Sequence, residues 1–146
     1  MSLENLVKIG QLEKITPDRG DIARLLEAAT RSLSDARLSG LSAEGRFDMA
    51  YKAIMQAANA ALQSNGYRTL TSKPGHHQTM IQVLPQTAGL DKAIAVQLDA
   101  LRKQRNVIDY SGDLVSDTMA AEVITQADSL IKQVRAWLAE YQPHLL

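Results

Sequence analysis

The chain has 146 residues, 45 % of them hydrophobic and only 4 % aromatic, with no cysteine and a formal net charge of zero. This is single-domain size with enough apolar side chain for a self-sufficient core, and the lack of cysteine excludes disulfides, thiolate metal sites and cysteine nucleophiles. The low aromatic share and the many Ala, Leu and Gln residues favour helices over sheets.

Residues 2–9 predict a short helix with Leu3, Leu6 and Val7 on one side. Residues 1–15 read as a short N-terminal extension of a single domain spanning 1–146. Thr16-Pro17 reads as an N-cap followed by proline at the first helical position. Ile22, Leu25, Leu26, Ala29, Leu33 and Ala36 then recur at the spacing of one helical face, and Gly40 is expected to end that helix in the left-handed region. Ser42 is the expected cap of a helix running to Asn65 and stopping at Gly66. Its alanines (Ala50, Ala53, Ala57, Ala58, Ala60, Ala61) would let neighbouring helices approach closely, which makes it the expected centre of the bundle.

Residues 66–75 are turn-rich and predict the longest loop. A helix from His76 to Thr87 follows, with a distortion expected at Pro85 and an end at Gly89. Asp91 to Val107 predicts a fourth helix, 109–115 a second loop, and Ser116 the cap of a final helix that ends by Pro143. No segment alternates with period two for long. The fold class is therefore all-α, an up-and-down bundle of about five helices.

Charge is unevenly distributed. Residues 66–106 carry six basic against two acidic side chains, and residues 107–146 two basic against six acidic. A basic middle and an acidic end suit an anion site, and equally head-to-tail self-association. No apolar run approaches the ~20 residues that span a bilayer. The N-terminus lacks the charge-then-apolar order of a signal peptide, so a cytoplasmic protein without a membrane partner is expected.

Gly-rich phosphate loops, His-Glu-x-x-His and Gly-x-Ser-x-Gly patterns are absent from the sequence. Two segments remain as places for chemistry. In the first, His76 and His77 stand near Arg68 and Lys73, where they suit an anion. Adjacent helical residues diverge by about 100°, so the pair is a poor metal site and no metal or cofactor is expected. In the second, Arg102 and Arg105 project from neighbouring turns of one face, and Asp109 is spaced for a bidentate pair with Arg105. Asn106 and the Tyr110 hydroxyl stand beside them.

The Ala-rich helix with Tyr51, the Leu62-x-x-x-Gly66-Tyr67-Arg68 run, His76-His77, and Arg105-Asn106-x-x-Asp109-Tyr110 together resemble the HEPN superfamily over roughly residues 20–140. The resemblance implies a small helical bundle that dimerises with its Arg-containing segments facing each other. It also implies pairing with a minimal nucleotidyltransferase, as in toxin–antitoxin systems. Active members of that superfamily are metal-independent ribonucleases using an Arg, a spacer of four to six residues, and a His. Here Arg105 and Asn106 match, but Tyr110 stands where the histidine would be, and a phenol is a poor base near neutrality. The resemblance therefore implies a module that binds a nucleotide, RNA or a partner through Arg68, Arg102, Arg105, Asn106, Asp109 and Tyr110. The alternatives are a divergent ribonuclease toxin using Arg105 with His76 or His77, and a structural or regulatory dimeric bundle.

Overall fold

The computed structural model describes residues 2–146 and is a mostly helical bundle. Its elements are α1 (Leu3–Lys8), β1 (Leu12–Lys14), α2 (Arg19–Ala36), α3 (Ala43–Ser64), β2 (Tyr67–Thr69), α4 (His76–Gln82), α5 (Leu84–Ala88), α6 (Lys92–Ser111) and α7 (Asp117–Tyr141), closed by a 3₁₀ turn at Pro143–Leu145. The expected all-α bundle of about five helices is what the chain forms, with α4 and α5 together filling one helical place.

The small side chains of α3 explain its position. Ala50, Ala53, Ala57, Ala58, Ala60 and Ala61 are all buried, and α2 and α7 pack along its two flanks. Phe47, Ile54 and Leu62 fill the gaps between helices. One contiguous core results, running from Leu12 to Leu145. Ser42 caps α3 by accepting the Gly45 N–H at 3.0 Å, and α3 stops where Gly66 takes a φ of +88°, a conformation only glycine adopts without cost.

Several boundaries differ from the sequence reading. The cap of α2 is Asp18, whose carboxylate accepts the Asp21 N–H at 2.9 Å, so Thr16 and Pro17 lie outside the helix. Asp caps at least as well as Thr. That helix ends at Ala36, its last inward apolar residue. Beyond it Arg37, Leu38 and Ser39 are exposed, so packing no longer supports the helix, and Gly40 has no positive φ.

The predicted loop at 66–75 contains β2, which pairs antiparallel with β1 in the register Leu12↔Thr69, Glu13↔Arg68, Lys14↔Tyr67. Through buried Leu12 this ribbon fastens the N-terminal segment to the core. The predicted helix at 76–87 breaks at Val83, because Pro85 has no N–H to give to the carbonyl four residues back. The fourth helix runs on to Ser111, so Asp109 and Tyr110 are helical rather than in a loop.

The α5–α6 corner is tied down by two side-chain amides. Asn65 donates to the Thr87 carbonyl at 2.9 Å, and Gln133 donates to the Ala88 carbonyl at 2.7 Å. Between them Gly89, at φ +62°, comes so close to the Trp137 ring that a Cβ there would lie 2.5 Å from it. This corner sets the direction in which α6 leaves the core.

Candidate functional site

A cavity of about 450 Å³ opens between α3, α4 and α6. Asp48, Tyr51, Lys52, Gln56 and Asn59 of α3 form one wall, His77 of α4 lies opposite, Arg105 of α6 closes one end, and Met49, Met55 and Met80 supply apolar surface. The volume is in the range that holds a small organic ligand, and flexible methionines adapt readily to a flat guest.

Tyr51 is the hub. Its ring is buried, and its hydroxyl lies 3.3 Å from His77 Nδ1. The Arg105 guanidinium carbon stands 5.1 Å from the Tyr51 ring centroid, a cation–π distance. Burial pushes the Tyr51 phenol up to about 12 against the opposing pull of Arg105 and Arg102, so it stays protonated at any working pH. Burial, reinforced by the nearby His76, Arg105 and Arg102 charges, holds His77 below its ordinary 6.5. His77 is therefore mainly neutral near pH 7, with one ring nitrogen able to accept a proton. Its neighbour His76 packs edge-on against it, ring centroids 4.6 Å apart.

Arg105 is flanked by two carboxylates. Its Nε lies 3.5 Å from Asp48, and Nη1 lies 3.4 Å from Asp109. The expected bidentate Arg105–Asp109 pair does not form: Asp109 reaches one nitrogen, and Asp48, from a different helix, attends the other side. Both contacts are ion pairs too long for strong hydrogen bonds, and the buried Nε has no hydrogen-bond partner. Arg105 is thus electrostatically anchored but keeps unused donors. The amide nitrogens of Gln56 and Asn59 are also free for a guest, since Gln56 uses its oxygen to accept from Ser32 and Asn59 uses its oxygen to accept from Gln63.

The other expected site residues go elsewhere. Arg102 is consumed by Asp99, 2.8 Å away in a nearly buried pair on the same helix, with Lys103 on the second carboxylate oxygen. Arg68 pairs with Glu13 across the β1–β2 ribbon and lines a separate groove with Arg24 and Arg31 of α2. Asn106 is exposed, and Tyr110 is 93 % exposed, pointing away from Arg105. So of the eight expected residues, the structure gathers Arg105, Asp109, His77 and, behind His77, His76. The wall from Asp48 to Asn59 was missed. Its signal is a polar stripe, Asp48, Lys52, Gln56 and Asn59, at successive helical turns of an otherwise alanine-rich helix.

Among the described residues, no three His, Cys, Asp or Glu side chains gather in a way that could hold a metal, and no helix is long and apolar enough to cross a membrane. Compared with family models, curated proteins and solved structures, the chain matches none.

Proposed function

We propose that the chain is a HEPN-like binding module for a nucleotide or single-stranded RNA, which it holds in the Tyr51–His77–Arg105 cavity. One observation carries the reading: Arg105 and His77, 28 positions apart in sequence, share one half-apolar cavity across Tyr51. A base would lie against the methionines and the His77 ring, with its acceptor atoms facing the Gln56 and Asn59 amides. The phosphate would sit between Arg105 and Lys52, where unused guanidinium donors are available. Asp48 and Asp109 offset much of the Arg105 charge, so the binding expected is of a whole nucleotide rather than of free phosphate.

In this reading the protein acts in the cytoplasm as a homodimer, with a nucleotidyltransferase as the partner expected from the HEPN resemblance. The test is Arg105→Ala against wild type, titrated with ATP and with a short single-stranded RNA. Binding should be abolished while helical circular dichroism is unchanged. Binding that persists unchanged overturns the reading.

A second reading, metal-independent RNA cleavage, is favoured by the neutral His77 standing across Tyr51 from Arg105. Arginine would stabilise charge on the scissile phosphate, and His77 would take the 2′-hydroxyl proton. Cleavage of single-stranded RNA in excess chelator, lost in His77→Ala but kept in His76→Ala, would establish it. No cleavage by wild type leaves the binding module alone.

A further inference from the structure

Helix α6 has two opposed apolar stripes, and only one of them is used. Ala95, Leu98 and Ile108 point into the protein. On the other side Val96, Ala100, Lys103, Val107 and Tyr110 follow at alternating steps of four and three, the spacing of a coiled-coil seam. Three of these are apolar side chains left largely in water: Val96 at 70 %, Val107 at 59 % and Tyr110 at 93 % exposure.

The two ends of this seam differ in shape. Over its N-terminal half, Lys92, Ala95, Val96 and Ala100, together with the ion-paired Asp99 and Lys103, form a groove of about 760 Å³ against Pro85 of α5. At its C-terminal end Tyr110 protrudes with nothing beside it. A projection and a groove at opposite ends of one helix are self-complementary under a two-fold axis.

We propose that this face binds a second copy of the chain, α6 antiparallel to α6, with the Tyr110 of each copy seated in the groove of the other. The seam spacing then sets Val96 opposite Val107 and Ala100 opposite Lys103 of the other copy. This register sets neutral Gln97 against Gln104 of the other copy. A parallel pairing would place Lys103 on Lys103 and leave both grooves empty. Burying two tyrosines removes roughly 300–500 Å² from water. That is a substantial start on the ~1,200 Å² of a stable specific interface, with the valines still to add.

The proposal names the surface behind the homodimer of the preceding section, and it departs from the arrangement implied by the HEPN resemblance. Arg105 lies on the inward side of α6, so the two arginine segments do not face each other across this seam.

Sedimentation of the full chain should give twice the 16.0 kDa monomer mass at 100 μM or below. The Val107→Glu/Tyr110→Glu variant buries unpaired charge at the interface and should weaken self-association by about 100-fold or more. Its helical circular dichroism should not change, since neither side chain is buried in the monomer. The register is read by disulfide trapping, which the absence of native cysteine makes clean. Val96→Cys chains mixed with Val107→Cys chains should cross-link to each other in preference to themselves. A monomeric wild type overturns the proposal and the homodimer together. A dimer that survives the double glutamate variant, or Val107→Cys preferring its own copy, overturns the seam and leaves the homodimer standing. Arg105→Ala should dimerise as wild type does, which separates this interface from the cavity.

Discussion

Replacing Gly89 by alanine tests the corner that aims α6. The residue sits at φ +62°, ψ +24°, and a side chain there costs about 1–2 kcal/mol in backbone strain alone. The new Cβ would also lie 2.5 Å and 2.7 Å from Trp137 Cζ3 and Cε3, well inside van der Waals contact. Tyr141 packs beside the indole at a tilt of 44°, with ring centroids 4.2 Å apart, and limits its retreat on that side. Overpacking of this kind adds about 1–3 kcal/mol. Together the two terms give a loss of about 2–5 kcal/mol, or roughly 5–15 °C in Tm for a chain of this length. Urea unfolding and calorimetry of Gly89→Ala measure it. Gly89→Ala/Trp137→Leu should lose less than the two single changes summed, because the clash term disappears in the pair. A Gly89→Ala loss below about 1 kcal/mol, or strict additivity in the double variant, would refute the close approach.

Two further outcomes follow from the cavity. Asp109→Ala should cost stability rather than ligand: about 0.2–1 kcal/mol, small because both partners of the Arg105–Asp109 pair are partly solvated, with nucleotide binding within twofold of wild type. Equal stability with and without Asp109 would mean that the pair does not anchor Arg105. His77 is held below 6.5 in the folded chain, so its contribution to stability is complete above pH 6.5 and declines as pH falls from there through its folded value. Tm measured from pH 7.5 down to 5 should show that decline, and His77→Gln should flatten it; an identical slope in the variant would remove His77 as the cause.

The helical stripes were readable because each contains many residues that repeat one pattern. The alanines of α3 and the 22–36 stripe of α2 speak with a dozen voices, so tertiary packing agrees with local periodicity. The ribbon from Leu12 to Lys14 and Tyr67 to Thr69 was not readable, because three residues are too few to display a period and their pairing joins segments 55 positions apart. The end of the fourth helix was misjudged for a different reason: polar Asp109 and Tyr110 look like loop, but the chain stays helical until Gly112 takes a positive φ. Arg105 stood out in sequence by its neighbours. Tyr51 did not, because a tyrosine on an apolar stripe reads as core, and here it is both core and cavity wall. Arg68 and Arg102 are both spent on carboxylates: Arg102 on Asp99 at i,i+3 spacing that the helix pattern makes available, and Arg68 on Glu13 across the ribbon, 55 positions away.

The cavity's walls belong to layers of unequal permanence. In α3, twelve of 22 residues are buried, whereas α6 buries only Ala95, Leu98 and Ile108 of its 20. Amide hydrogens along the alanine spine should exchange only when the whole molecule unfolds, while those of α6 should exchange through a far cheaper local opening. Arg105 rides on the loosely held layer, and Tyr51, Lys52 and Asn59 are fixed in the permanent one. Local opening of α6 should therefore expose the Tyr51 side of α3 while the alanine spine stays protected.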